Sequence, residues 1–325
     1  MADRLAEAVE RGDLDELTRL IDARCESRQW DALVELRARC LKAVERGKQL
    51  WPAAHHAEYR LALEAPGPWA AAMLVEGAGR FTLGPLSEVA ASTHTWAELG
   101  PHAPAGPVAA LAAHERVVRG EDLRDVVPTM PTVLEVPYAL EPWEPSYAVA
   151  TYRSHTADFP SLAVPALQEA GVAAAPVVDD RDSTDALLAL VTAWTASSNG
   201  RAEARAVRGD AAGAIGALGV RRARVGELTV AGAFAHMAWA AASGGAYGRR
   251  RGAATGRFDA WLTGATLAGL AEPWPPNGAA LGAALAALRW YAWDAAEPMT
   301  GWSLHLAVED PARGLAWAIA ATDAR

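Results

Sequence analysis

The sequence is short of the features that mark secreted and membrane proteins. It has two cysteines among its 325 residues, too few for a disulfide framework, which favours a reducing compartment. A charge, a glycine or a proline breaks every apolar run before it reaches the ~20 residues of a membrane span. The first residues lack the basic and then apolar pattern of a secretory signal. We therefore expect a cytoplasmic protein with no membrane partner.

Lysine and the smaller aromatic residues are also scarce. Lys42 and Lys48 are the only lysines beside 28 arginines, and 4 Phe and 6 Tyr stand against 13 Trp. We interpret the arginine bias as codon usage, so that arginine makes nearly every cationic contact. Alanine supplies about a quarter of the chain and is the best helix former. The composition therefore predicts a mostly α-helical protein.

Residues 1–126 predict a helical domain of short amphipathic helices. Asp13 is placed to cap the second helix, with Glu16 three positions later. Cys25 and Cys40 fall on apolar helix faces, so we expect both to be buried. Such paired helices are typical of an α-solenoid or an irregular bundle. No repeat of fixed period supports a named repeat family.

The texture of the sequence changes after Val126. Residues 127–146 contain five prolines and predict a linker or an edge strand. Residues 147–325 predict an α+β domain with a small antiparallel sheet and helices near 183–198, 227–243, 254–270 and 279–293. The turn-forming residues 309–314 predict a C-terminal β-hairpin. We expect this hairpin to pair with strands near 133–152 or to pack on a helix.

Charge is distributed unevenly along the chain. Residues 201–257 hold ten arginines and three acidic residues, a net charge of +7 inside a chain of net charge −9. Three of these arginines are consecutive in a glycine-rich connection, residues 244–252, which we call the Arg/Gly loop. Backbone N–H groups, a following helix N-terminus and arginine side chains all favour phosphate. The predicted anion-binding residues are Arg249, Arg250, Arg251, Arg257, Gly248 and Gly252, with Tyr247, His236, Arg221, Arg222 and Arg224 as a second tier.

Two simpler interpretations compete with anion binding. The acidic run at residues 179–185 could neutralise the arginines within the fold, or the loop could be an ordinary solvated turn. The same acidic run lacks the glycine and terminal glutamate of a calcium loop, so we expect a helix cap at Asp182 and no metal site. His55 and His56 are adjacent and point about 100° apart on a helix, so they cannot chelate a metal together.

Two functional hypotheses follow. The first is a non-enzymatic binding or scaffold protein, with a protein partner on the N-terminal helices and nucleic acid or a phosphate-bearing ligand at the Arg/Gly loop. The second is an enzyme acting on a phosphorylated small molecule, with His236 or Asp259 as acid–base candidates. The sequence contains no Walker loop, no dinucleotide fingerprint and no Gly-x-Ser-x-Gly elbow. No motif in the sequence assigns a catalytic residue or a cofactor.

Overall fold

A computed structural model describes residues 2–126, 132–296 and 301–324 of the chain. Within these residues 46% are helical and 15% lie in strands, and the strands form one two-stranded and one six-stranded sheet. The fold is mixed α/β, so the prediction of a mostly α-helical protein with a small sheet was wrong. The alanine-rich composition favoured helix, but the alanine-rich segments at residues 201–208 and 315–323 form strands of the larger sheet.

The described residues divide into two compact units. The first unit contains residues 2–116, 125–126, 132–133 and 150–159, and the second contains residues 117–124, 134–149, 160–296 and 301–324.

Short helices build the first unit. Asp13 caps the second helix by accepting a hydrogen bond from the backbone N–H of Glu16 at 3.0 Å, as its position predicts. Cys25 and Cys40 are 5% and 0% exposed, which confirms their predicted burial. The helices that begin in this unit are α1 (Ala2–Arg11), α2 (Leu14–Glu26), α3 (Trp30–Glu45), α4 (Trp51–Glu64), α5 (Gly67–Ala71), α6 (Leu86–Thr93), α7 (Trp96–Leu99), a 3-10 helix (Gly100–His102) and α8 (Pro107–Val118).

A two-stranded ribbon completes the first unit. Strands β1 (Thr151–Tyr152) and β2 (Ala157–Asp158) pair antiparallel. The buried hydroxyl of Tyr152 donates a hydrogen bond to Glu88 of α6 at 2.7 Å. The sequence predicted longer strands at 133–136 and 147–152. No strand forms over the described residues 132–136, and only Thr151 and Tyr152 form a strand in the second segment.

The second unit is organised around the six-stranded antiparallel sheet, with strand order β3-β5-β6-β7-β8-β4. Its strands are β3 (Gln168–Gly171), β4 (Arg201–Arg208), β5 (Arg222–Leu228), β6 (Arg289–Asp294), β7 (Trp302–Asp310) and β8 (Leu315–Asp323). Its helices are α9 (Arg181–Ala189), α10 (Thr192–Ser197), α11 (Ala211–Ala217), α12 (Val230–Ala242), α13 (Ala253–Leu267) and α14 (Gly278–Ala287).

The predicted C-terminal hairpin is present as β7 and β8, which pair from Trp302 with Asp323 to Asp310 with Leu315. Its partners are β6 on one side and β4 on the other, rather than the segment near 133–152. The hairpin therefore lies inside the sheet and not at its edge.

The predicted helix over 279–293 ends earlier than expected. Helix α14 stops at Ala287, and residues 289–294 form β6. Trp290 and Trp293 are an odd number of positions apart, so they point to opposite faces of the sheet. Trp290 joins the larger core with α12 and α13, whereas Trp293 joins a smaller core under α11. Tryptophan and tyrosine favour pleated, half-buried surfaces, which explains why residues 289–294 form a strand and do not continue the helix.

Candidate functional site

Residues 201–257, which we call the basic block, hold ten arginines. These arginines are distributed over several parts of the second unit. Arg201, Arg205 and Arg208 lie on β4 at one edge of the sheet, whereas Arg222 and Arg224 lie on β5. Strands β6, β7 and β8 separate β4 from β5. The block that is contiguous in sequence is therefore not one surface in the fold.

The second-tier arginines of β5 form ion pairs across the sheet. Arg224 binds Asp294 of β6 through Nε and Nη2 at 3.0 and 2.6 Å, and the Arg224 hydrogen bond lowers the pKa of Asp294. Arg222 lies 3.7 Å from Glu169 of β3, while Arg221 is exposed just before β5. In each ion pair the arginine of β5 neutralises an acidic side chain on a neighbouring strand, and opposite charges on one face of a sheet stabilise strand pairing.

Arg257 is not available to an external anion. Its side chain is 1% exposed and forms an ion pair with the fully buried Glu144. Nε and Nη2 donate to the two carboxylate oxygens at 2.7 and 2.8 Å, and Nη1 and Nη2 also donate to the carbonyls of Pro137 and Ala139. The prediction that Arg257 binds an anion is corrected accordingly: it fixes residues 137–144 to helix α13.

The backbone of the Arg/Gly loop also has protein partners. The N–H groups of Gly245, Ala246 and Tyr247 donate to Ser243, Asp323 and Ser198 at 2.9, 2.6 and 2.9 Å. Asp323 is 1% exposed at the end of β8. The expected cradle of N–H groups therefore already holds a carboxylate of the chain itself.

Glycine stands at two positions of the loop for reasons of packing and of backbone conformation. A Cβ on Gly248 would lie 2.1 Å from the carbonyl oxygen of Gly244, and Gly252 precedes α13 with a positive φ of 99°. These two glycines let the chain turn tightly between α12 and α13. Gly252 is buried, so of the two predicted glycines only Gly248 faces the cleft described next.

A cleft of about 710 Å³ lies beside the loop. Helix α10, with the end of α9, supplies one wall, and the Arg/Gly loop supplies the other. Tyr247 is 59% exposed. We call this the arginine cleft, and its lining residues are Ala189, Thr192, Ala193, Ala196, Ser197, Tyr247, Gly248, Arg249, Arg251 and Asp259.

Two arginines and one aspartate give the arginine cleft its charge. Arg251 Nη1 lies 2.6 Å from Asp259 Oδ2 and 3.3 Å from the carbonyl oxygen of Ala241. Burial raises the pKa of Asp259 even though Arg251 opposes the shift. Arg249 is exposed and Arg250 half-buried in the same loop. The acidic run at 179–185 is not the partner of Arg251, which pairs with Asp259 instead.

His236, the second-tier histidine, does not line the arginine cleft. Its Nδ1 lies 2.8 Å from the carbonyl oxygen of Gly232, one turn earlier on α12, and burial lowers its pKa. This environment is that of a half-buried helix residue and gives no support to an acid–base role in the cleft.

The first unit holds a group of residues that sequence analysis missed. Asp22 of α2, His56 of α4 and His155 of the β1–β2 turn each place a ligand atom within 4.8 Å of the other two. His155 Nε2 lies 3.3 Å from Asp22 Oδ1, and the rings of His56 and His155 stack with centroids 5.2 Å apart. The three residues are far apart in sequence, so no spacing motif reveals them.

Comparison with known proteins identifies the family. The profile of DUF6183, a family of unknown function, matches residues 15–325. The chain belongs to this family. No curated protein and no solved structure matches it significantly. Within residues 2–126, 132–296 and 301–324, every helix is too short or too polar to cross a lipid bilayer.

Proposed function

We propose that this DUF6183 member is a binding protein whose second unit holds a phosphate-bearing ligand in the arginine cleft. The observation that carries the proposal is the presence of Arg249 and Arg251 on the wall of one cleft. Arginine presents planar, bidentate donors that suit phosphate oxygens, and its charge is permanent.

Charge supports an anionic ligand. The cleft lining has two arginines and Asp259 as its charged residues, whereas the whole chain has a net charge of −9. Arg251 is paired with Asp259, and Arg249 is the second arginine on the wall of the cleft. The backbone of the loop contributes less than the sequence suggested, because the N–H groups of Gly245, Ala246 and Tyr247 already donate to Ser243, Asp323 and Ser198.

The size of the cleft favours a small ligand over a nucleic acid. Small-molecule sites commonly enclose ~300–1,000 Å³, and the arginine cleft has about 710 Å³. Tyr247 offers an exposed ring on which a base or another planar group can stack. A nucleoside phosphate fits this combination, and nucleic acid binding becomes an outcome of the test.

The second hypothesis, an enzyme acting on a phosphorylated small molecule, is favoured by one observation. Asp259 combines a raised pKa with a place in the same cleft as Arg249, and such carboxyl groups are candidates for acid–base work. His236 does not share that position. A loss of turnover in Asp259→Asn with ligand binding retained would support the enzyme.

The test measures the binding of pyrophosphate, a nucleoside monophosphate and a single-stranded oligonucleotide by titration calorimetry at low and near-physiological salt. Arg249→Ala should weaken binding of the small phosphates at least about 10-fold, the effect of one lost charge-assisted hydrogen bond. The matched control is Arg208→Ala, which removes another exposed arginine of the second unit, from β4, and should leave binding unchanged. Binding of the oligonucleotide alone, with a steep salt dependence, would replace the small ligand with nucleic acid. Equal binding by both variants would refute the arginine cleft as the site.

The remaining predictions concern location and partners. A protein partner on the N-terminal helices and a cytoplasmic location stay proposals drawn from composition. Purifying the protein with its associated molecules from its own cells tests both together.

A further inference from the structure

The group formed by Asp22, His56 and His155 lies wholly within the first unit and is independent of the arginine cleft. Helices α2 and α4 supply Asp22 and His56, and the turn between β1 and β2 supplies His155. One carboxylate and two imidazoles are a ligand set common to divalent transition metals. The convergence of these three residue types from distant parts of the chain is the first observation.

The second observation is a ring nitrogen of His56 that lacks a hydrogen-bond partner among the described residues. Nε2 of His56 is buried and has no hydrogen-bond partner in the described part of the chain. A buried polar atom without a partner costs free energy, so such atoms are rare and call for an explanation. A metal ion bound at this nitrogen would provide one.

The third observation is the arrangement around Asp22. Arg60, whose side chain is 5% exposed, donates from Nη1 to Asp22 and from Nε to Glu64 at 2.6 Å. Glu64 also accepts a hydrogen bond from Ser154 at 2.9 Å. Carboxylates that bind metals are themselves commonly held by such outer hydrogen bonds. Two carboxylates around one guanidinium leave a net negative charge, which favours a cation.

The fourth observation is access. His56 and His155 line a cleft of about 270 Å³, which leaves room for water or a ligand on the open side of the group. The other lining residues are Trp51, Pro52, Tyr59, Phe81, Thr82, Leu83 and Ser154. Three protein ligands beside an accessible cleft are typical of a reactive metal site rather than of a closed structural one.

From these observations we infer that Asp22, His56 and His155 form a binding site for a divalent transition-metal ion, Zn²⁺ or Fe²⁺. Ligand atoms of a tetrahedral site with bonds of ~2.0–2.1 Å lie roughly 3.4 Å apart. His155 Nε2 and Asp22 Oδ1 are already 3.3 Å apart, and all three atoms are within 4.8 Å of one another, so binding shortens any of these distances by at most ~1.4 Å. His155 is 55% exposed and adjusts its side-chain rotamer for this purpose.

The test adds Co²⁺, Zn²⁺ or Fe²⁺ to the metal-free full-length protein, with Fe²⁺ under anaerobic conditions. The visible absorption of Co²⁺ reports its coordination, and titration calorimetry gives affinity and stoichiometry for each ion. We expect one ion per chain and a low-coordinate Co²⁺ spectrum. His155→Ala should weaken binding at least about 10-fold, because loss of even an outer-shell partner costs that much.

The matched control is His102→Ala, which removes another exposed histidine of the first unit and should leave binding intact. Because His155 is exposed, its replacement should not disturb folding, and circular dichroism checks this. Asp22→Asn supplies a second variant that keeps an acceptor for Arg60. Absence of binding to the unmodified protein, or equal binding by the His155→Ala and His102→Ala proteins, would overturn the proposal. The preferred ion distinguishes Zn²⁺ from Fe²⁺.

Discussion

At the scale of single residues, one side-chain type performs two opposite tasks in this protein. Arg257 is buried against Glu144 and the carbonyls of Pro137 and Ala139, whereas Arg249 is exposed on the wall of the arginine cleft. The sequence places both arginines in one basic block and offers no signal that separates them. Arg257 is buried because Glu144, more than a hundred residues earlier in the chain, contacts it on α13. Only the fold reveals this contact.

The Arg257–Glu144 pair gives the first prediction. Burial opposes ionisation of Glu144, but the hydrogen bonds and charge of Arg257 prevail and lower its pKa. Glu144→Gln leaves Arg257 charged and unpaired, so the free energy of unfolding should fall by ~3–5 kcal/mol in denaturant titrations. Glu169→Gln, in the exposed pair with Arg222, should cost less than ~1 kcal/mol. Equal costs for the two variants would contradict the buried role.

The same pair predicts a dependence on pH. A carboxylate whose pKa is lowered by folding contributes stability above its unfolded pKa of ~4.3, and this contribution is lost as pH falls toward the folded value. The unmodified protein should therefore lose melting temperature below about pH 4.3 more steeply than Glu144→Gln does. Parallel curves for the two proteins would show that Glu144 is not linked to folding.

The cysteines give a prediction about reactivity. Burial raises the pKa of Cys25 to about 12 and that of Cys40 to about 11, and thiolates are the reactive form. Both thiols should resist a thiol reagent at neutral pH until the protein unfolds. Cys40→Ser should cost ~1–3 kcal/mol through its buried hydroxyl, and Cys40→Ala should cost less. Rapid labelling of the native protein would place the thiols outside the core.

At the scale of elements, sequence patterns succeeded where local chemistry decides the structure. The Asp13 cap and the turn between β7 and β8 depend on neighbouring residues, and both were predictable. Strands β4 and β5 were missed because arginine and alanine, both good helix formers, alternate along them. Pairing with β8 and β6 over long sequence distances overrides that preference.

The Arg/Gly loop gives a prediction at this scale. The carboxylate of Asp323 accepts a hydrogen bond from the N–H group of Ala246, so Asp323→Ala should leave a partly buried donor unpaired and cost ~1–3 kcal/mol. Trypsin should then cut faster after Arg249, Arg250 or Arg251. Asp323→Asn keeps an acceptor oxygen and should remain closer to the unmodified protein. Unchanged cleavage in Asp323→Ala would show that Asp323 does not anchor the loop.

At the scale of the whole molecule, the domain boundary near residue 126 stays a prediction from composition. Residues 134–149 belong to the second unit, where Trp143 packs against Phe234 and Trp261 with ring centroids 5.0 and 5.2 Å apart. Residues 150–159 belong to the first unit, held in part by the Tyr152–Glu88 hydrogen bond. The two units are therefore not two consecutive segments of the chain, because each contains segments from both sides of residue 126.

Limited proteolysis tests this organisation. A protease of broad specificity should cut at the exposed residues 124–126 or at residue 132, because exposed segments of a chain are nicked first. It should spare residues 134–149, which pack in the second unit. The two fragments should separate on a denaturing gel and stay together on size exclusion, since residues 150–159 remain with the first unit. Uniform protection of the chain would argue for one continuous core.

The two candidate sites differ in how far the sequence could predict them. The three arginines of the Arg/Gly loop are consecutive, so the local charge reveals them. The fold, however, buries the nearby Arg257 against Glu144 and pairs the N–H group of Ala246 with Asp323. Asp22, His56 and His155 come from three elements, and their meeting depends on how α2, α4 and the β1–β2 ribbon pack. No local pattern encodes such a meeting, since ligand sets of this kind are defined in space.

A crystal soaked in tungstate shows directly whether the arginine cleft binds phosphate-bearing ligands, as we propose. Tungstate is a tetrahedral oxyanion like phosphate, and its anomalous scattering locates it without prior assumptions. We expect a peak in the cleft within hydrogen-bonding distance of the guanidinium groups of Arg249 and Arg251. Anomalous peaks confined to arginines outside the cleft, such as Arg208 or Arg221, would contradict it.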